Sequence, residues 1–378
     1  MSRSPDCDDD ARPLSADPSE TRNAILWHPS AQGGPIEPSV GPLPLTVRQA
    51  GLRDVPRLAR VPVVLRLNQP DINLWPYRPP IEAIQSLVPL RRPRTRFMVA
   101  CAGGRLVAFA HWQPVLPDRR WQLLAMGSAT GVYDAEPVWE ELLRQSITAA
   151  GLRGVKRLYA RVPVGSPAGE PLRKLGFAAF ASEMVFLARR LLSNPVALPM
   201  RRQELADTWA IHQLYSASVP KQVQYAEAWT SHRWETKARA GRGVTTMGWL
   251  VEEGHQVLAY ARVSSRGGTH TLELIYAPEH AALIPDVLDG VISRVRAQAP
   301  VNRVFCTLRG YQVEAVDALC ERGFDPVLEQ DLMVKYTTVT SRTVTAEAVP
   351  FHVDVIERLP KRVPSFLHGR PGDGMTRP

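Results

Sequence analysis

The sequence predicts a mixed α/β (α+β) protein of two like modules, each a mostly antiparallel twisted sheet flanked by helices. Three observations carry this. Strand-like and helix-like runs follow one order twice along the 378 residues. Two short helical segments, LRKLGF and LCERGF, end 147 residues apart at Gly176 and Gly323. The strand-like runs before them begin 146 residues apart, at Arg157 and Arg303. Such agreement at low residue identity points to an internal duplication.

In the first copy, LTVRQAGLRDVPRLARV reads as a strand followed by a helix. FMVACAGGRLVAFAHWQP follows, two apolar runs about Gly103-Gly104, which is a hairpin signal. WQLLAMG (121–127) is a further strand. EPVWEELLRQSITAAG places Val138, Leu142, Leu143, Ile147 and Ala150 at helical spacing. RLYARVPV is a strand, GEPLRKLGF a short helix and FAAFASEMVFLAR a closing β segment. The second copy repeats this with PMRRQELADTWAIHQLY, a hairpin GWLVEEGHQVLAYARV turning at Glu253-Gly254, the strand TLELIYAP and the helix AALIPDVLDGVISRVRAQA. RVFCTLRG, VEAVDALCERGF and DPVLEQDLMVKYTTV complete it.

These runs set the expected organisation. Residues 1–43, rich in Pro, Ser, Asp and Gly, form a disordered arm. The N-terminal module covers 44–192, the C-terminal module 193–340, and a mostly flexible tail 341–378. FHVDVIERL (351–359) has the pattern of a short strand or helix. Pro195 and Pro199 prevent one continuous helix across the junction, and its shortness keeps the modules close.

A 44% hydrophobic and 22% charged composition is that of a globular chain. No apolar run approaches the roughly 20 residues that span a bilayer, so no membrane partner is expected. The acidic start, with Asp8, Asp9 and Asp10 and no apolar core, is not a secretory signal; a cytoplasmic location is expected. Cys7, Cys101, Cys306 and Cys320 form no C-x-x-C pair and no zinc spacing, so free thiols and no metal are expected. The last three sit in strand or helix patterns, as small buried hydrophobes do. The net charge of +9 is carried mainly by arginine, scattered in short pairs such as Arg119-Arg120 and Arg201-Arg202. A solvated arginine-rich surface explains this better than nucleic-acid binding, which would gather arginines on one face. The sequence favours no particular oligomeric state.

The order of elements, together with the endings Leu175-Gly176-Phe177 and Arg322-Gly323-Phe324, resembles the GNAT superfamily of acyl-CoA-dependent N-acyltransferases. The resemblance covers nearly all of 44–339, twice. Each glycine follows an alanine by eight residues, Ala168 and Ala315, and a leucine by four, Leu172 and Leu319. Each is expected at a helix C′ position needing a left-handed backbone, with the aromatic starting the next buried strand.

The resemblance implies acetyl transfer from acetyl-CoA, a co-substrate, to a small-molecule or peptide amine that attacks the thioester directly. Glu273, on TLELIYAP, then matches a general base, and Tyr276 a donor to the departing thiolate. A surface carboxylate and a packing tyrosine are the plainer readings of these two. The backbone of the same strand, at Ile275 and Ala277, would face the thioester, and Gln312 would bond the cofactor or substrate amide. Tyr225, Trp229 and His232, with Trp234 and Arg233, would line the acceptor site, as would Trp75 and Tyr77 in the first copy; helix packing accounts for many of them.

The sequence also departs from the family pattern. Pro137, Trp139 and the stretch Leu283–Asp286 stand where a glycine loop would cradle pyrophosphate, and Pro137 and Pro285 have no N–H to donate. Gly127 and Gly131 offer a different anion nest. Leu172 and Leu319 replace the tyrosine that protonates the thiolate, and Gly165 and Gln312 replace an asparagine. Asp134 and Glu136 read as a helix N-cap and first turn, and His111 and His212 as hydrogen-bonded histidines. If only one copy is active, the second is expected to be, with the first as a scaffold that completes the fold. The alternative is a non-catalytic binding or regulatory protein that retains the fold without a working cofactor loop.

Overall fold

The computed structural model describes residues 44–66, 77–87, 95–115, 119–129, 135–194, 198–236, 243–298 and 300–337. The expected arm and tail, Cys7, Trp75, Gly131 and Asp134 lie outside them.

The first half contains β1 (Leu45–Gln49), α1 (Val55–Leu58), β2 (Val63–Arg66), α2 (Pro79–Leu87) and the strands β3 (Arg96–Ala102), β4 (Arg105–Val115) and β5 (Arg120–Ser128). It ends with α3 (Ala135–Gly151), β6 (Arg157–Pro163), α4 (Gly169–Lys174) and β7 (Ala178–Ala188). The second half contains β8 (Arg201–Arg202), α5 (Thr208–Ser218), α6 (Lys221–Glu227), β9 (Thr245–Glu253), β10 (Gln256–Arg266) and β11 (Thr269–Tyr276). It closes with α7 (Ile284–Gln298), β12 (Arg303–Arg309), α8 (Ala315–Cys320) and β13 (Asp325–Tyr336). The repeated order of the sequence is therefore the order of the fold.

All thirteen strands belong to one sheet, ordered β1-β3-β4-β5-β6-β13-β7-β12-β11-β10-β9-β8, with β2 on β5. Neighbours are antiparallel except β5/β6 and β11/β12. The closing strands change sides. β7, which ends the first half, pairs with β12 of the second. β13, which ends the second half, pairs with β6 of the first, and β7 and β13 pair with each other. Each half thus completes the sheet of the other.

On one sheet face α3 buries Trp139, Leu142, Leu143 and Ala150 against Ala108, Ala110, Leu123 and Leu158. α7 does the same with Ile284, Val287, Leu288, Val291 and Ile292, an i, i+3, i+4, i+7 stripe. The opposite face carries α1 and α2 over Phe97, Val99 and Phe109, and α5 and α6 over Leu250, Tyr260 and Ile275. Central strands covered on both sides read as continuous apolar runs, and β10 is buried from Val257 to Ser264.

The two glycine endings behave as their position requires. Gly176 and Gly323 have φ of 81° and 80°. Phe177 N donates to Leu172 O and Phe324 N to Leu319 O at 3.0 and 3.1 Å, the 6→1 bond of a Schellman cap. A second repeated device lies at the start of each half. Asp54 accepts the fork of Arg48 (2.6 and 2.8 Å) and the Gly51 N–H (2.8 Å). Asp207 accepts the fork of Arg201 (2.8 and 2.7 Å) and the Glu204 N–H (2.6 Å). The R-x5-D spacing ties strand to turn twice.

Of the cysteines, Cys101 and Cys306 are buried as expected, whereas Cys320 is exposed at the end of α8. Among the described residues no helix is long and apolar enough to cross a membrane, and no cluster of metal-ligating side chains occurs.

Candidate active site at the junction of the halves

The strands that meet at the centre of the sheet alternate in a telling way. In β6, Leu158, Ala160 and Val162 are buried in the α3 core, so Arg157, Tyr159 and Arg161 point to the other face. In β12, Val304, Cys306 and Leu308 enter the α7 core and leave Thr307 and Arg309 opposite. β10 and β11 add Arg262, Ser264, Thr271 and Glu273 to that same face. Because β6, β13, β7, β12, β11 and β10 are consecutive in the sheet, arginines far apart in sequence converge beneath α5 and α6. They line a cavity of about 180 Å³, together with Tyr215, Glu227 and Trp229.

Its charges are organised in two groups. Glu183 of β7 lies opposite Arg309 on β12 and Gln330 on β13. Its side chain is fully buried, at ion-pair distance from Arg309 Nε (3.2 Å) and Arg161 Nε (3.4 Å). Gln330 Nε2 donates to its Oε1 at 2.7 Å. Arg309 also donates to Glu227 Oε1 at 2.8 Å, and the Tyr215 hydroxyl to Glu227 Oε2 at 2.9 Å. Burial pushes the Glu227 carboxyl above its ordinary range, against the pull of Arg309. The second group is Glu273, which accepts two bonds from Arg233 Nη2 at 3.0 Å and has Arg262 at 3.9 Å.

The first half also holds the end of α6. Tyr159 donates to Ala226 O, and Arg120 Nη1 to Glu227 O at 3.1 Å. Ala228 follows in the left-handed region, with φ 44° and ψ 47°, a strained conformation for a residue with a Cβ. Glu227 and Trp229 flank this turn and both line the cavity. Arg233 stacks over the Trp229 ring at 4.8 Å.

β11 and β12 pair in parallel only from Thr269 to Leu272 and from Arg303 to Cys306. Beyond this the register ends, and Gln312 spans the gap. Its Nε2 donates to Leu274 O (3.1 Å) and its Oε1 accepts the Arg309 N–H (3.0 Å). Tyr276 lines the cavity near the same opening, and its hydroxyl lies 3.4 Å from Glu314 Oε2. Burial, then Glu314, raises the Tyr276 phenol above its usual value, so it stays protonated at neutral pH.

No protein-family model matches the sequence, and no curated protein matches it. Several solved structures are similar in shape. One is a GCN5-related N-acetyltransferase from Sphaerobacter thermophilus, 12% identical, covering 79% of this chain and 98% of that one, with a TM-score of 0.47. Another is a tandem GNAT protein from the clavulanic acid biosynthesis pathway, 13% identical over 79% of this chain and 100% of that one, TM-score 0.46. A third is an acetyltransferase of the GNAT family from Colwellia psychrerythraea, 14% identical over 77% and 99%, TM-score 0.40. These likenesses are of the fold alone.

The residues singled out in the sequence separate. Glu273, Ile275, Tyr276, Gln312, Trp229 and Arg233 all line the one cavity. Tyr225 does not: it is 68% exposed beside Tyr336 and Arg157. His232 is exposed and bonded to Glu235 at 2.7 Å. The Ala277 N–H is engaged by Leu258 O at 3.1 Å. Trp234, Trp139 and His111 are core, and the half-buried Tyr77 is bonded to His111 at 2.9 Å. His212 accepts from Trp234 Nε1 at 3.3 Å, and burial lowers its pKa. Gly127 is a strand residue, where a Cβ would meet Phe109 at 2.3 Å and Pro62 O at 2.5 Å. Glu136, in the first turn of α3, pairs with Lys174. Sequence reasoning missed Arg161, Arg309, Glu183, Glu227 and Tyr215 as site residues. The Arg-Tyr-Arg alternation of β6 was the available signal.

Proposed function

We propose that the chain transfers an acyl group from acetyl-CoA to an amine, with the acceptor held in the junction cavity and the reaction at the opening between β11 and β12. The observation that carries this reading is that a carboxylate, Glu273, and a protonated phenol, Tyr276, both on β11, line one cavity. The cavity fits the acyl end and a small acceptor, not a whole coenzyme. The carrier would extend along the gap that Gln312 bridges.

In this reading Glu273 takes the proton of the acceptor ammonium, directly or through water, and frees the amine to attack the thioester carbonyl. Arg233 and Arg262 fix the Glu273 carboxylate in place. As the C–S bond breaks, Tyr276 gives its proton to the departing sulfur, and the proton that the nitrogen of the adduct must lose to become an amide returns, through water, to the Tyr276 phenolate. A backbone N–H near Ile275 polarises the carbonyl oxygen.

Thiol release from acetyl-CoA in the presence of a panel of small amines tests this. Glu273→Gln should lower the rate about 10²-fold at neutral pH, and less at high pH, where the amine deprotonates unaided. Tyr276→Phe should slow turnover with the fold intact. Rates unchanged in both variants would remove these residues from the mechanism. A second reading, a binding protein without catalysis, is favoured by one feature: the side chain of Gln312 already satisfies Leu274 O and the Arg309 N–H. It predicts ligand binding with no thiol release from any amine.

A further inference from the structure

Two arginines of the cavity, Arg161 and Arg309, keep donors that no described residue uses. Five arginines line it, Arg120, Arg161, Arg233, Arg262 and Arg309, against the carboxylates Glu227, Glu273 and Glu314. Glu183 lies behind the lining, shared between Arg161 and Arg309. Arg309 Nη1 is buried and has no hydrogen-bond partner among the described residues. Arg161 Nε is likewise buried without one, its single ion pair being the 3.4 Å contact to Glu183. No hydrogen bond from the Arg161 fork occurs among the described residues. A buried guanidinium with unused donors is costly unless an anion or water completes it. The tendency of Glu227 to keep its proton increases the positive surplus.

Shape and chemistry narrow the anion. The volume of about 180 Å³ is close to that of a cavity that takes a benzene, about 150 Å³. The walls include Phe180, Trp229 and Tyr311, which suit an apolar body. A planar guanidinium fork matches a carboxylate through two parallel bonds. We propose that the acceptor is a compact amino acid-like compound, an amine bearing a carboxylate, and that Arg161 and Arg309 hold the carboxylate. This rests on the acyl-transfer reading for its amine and deepens that reading by naming the acceptor class. It also assigns a role to the central strand exchange: Arg161 comes from the first half, Arg309 from the second, and Glu183 of β7 sets both.

The test is calorimetric titration of the full-length chain with 4-(aminomethyl)benzoate and with 4-methylbenzylamine, which replaces the carboxylate by a methyl group. The carboxylate probe should bind at least tenfold more tightly, as charge-assisted bonds require. Arg161→Gln should erase that difference by weakening the binding of the carboxylate probe. Arg309→Lys, which keeps a buried charge, should reduce the difference if Arg161→Gln fails to fold. Equal affinities in the wild type, a preference undiminished in the folded variants, or saturation by inorganic phosphate in place of the carboxylate probe would overturn the proposal. So would absence of binding by either probe. Acetyl-CoA, titrated separately, keeps this result distinct from the fate of the acyl-transfer reading, because carboxylate binding needs no carrier.

Discussion

Glu227 shows how much a single side chain can depend on its surroundings. Nothing in the segment KQVQYAE marks its last residue as special. In the fold it is buried, bonded by Tyr215 and Arg309, and set at a strained turn. Because burial raises its pKa, the unfolded chain gives up the proton at lower pH than the folded one. Unfolding therefore releases a proton in this window, and wild-type stability falls as pH rises from about 4.5 through the folded-state value. Glu227→Gln has no such proton. The wild type should therefore lose Tm relative to Glu227→Gln as pH rises from 4 to 8. A wild type that gains Tm relative to the variant over this range would mean that Arg309 keeps the carboxylate charged and that the pair dominates.

At the scale of elements, the repeated helix endings allow a controlled comparison. Gly176 and Gly323 share a left-handed φ, so alanine at either costs about 1–2 kcal/mol from backbone strain alone. Their surroundings differ. A Cβ at Gly176 would meet only Lys335 Nζ, a movable end, at 3.0 Å. At Gly323 it would meet Arg190 O at 2.4 Å, and the backbone there must shift. Gly323→Ala should thus be the more damaging, by about 1–3 kcal/mol in denaturant unfolding; equal losses would show that the clash relaxes freely. These endings were legible in the sequence because a helix stop is local. The hairpins at Gly103-Gly104 and Gly254 were legible for the same reason, and all take positive φ. The Arg48–Asp54 and Arg201–Asp207 clasps were present in the sequence at equal spacing but carry no apolar pattern, and only the fold makes them visible.

At the scale of the whole molecule, the strand exchange is what sequence pattern does not reach. FAAFASEMVFLAR reads as β whichever sheet it joins, since a strand's periodicity does not name its neighbour. The same blindness hid the arginines. Arg161, Arg262 and Arg309 looked like a scattered, solvated set, and became a cluster when six strands were laid side by side. The exchange also makes the halves interdependent. Residues 44–194 alone would leave β7 without β12 and β13, and β6 with a bare edge. Neither that segment nor 195–337 should unfold cooperatively as a monomer, and the two mixed should recover a cooperative transition in circular dichroism. A stable monomeric half would contradict the exchange.

The acyl-transfer account stands or falls most directly on whether the intact chain takes the acyl carrier. Calorimetric titration of the full-length protein with acetyl-CoA measures this, with a non-hydrolysable analogue as control. The account predicts saturable binding near one site per chain, weakened when Gln312→Leu removes the amide that spans the opening. Absence of binding at millimolar acetyl-CoA would contradict it and leave the junction cavity as the site of a binding protein.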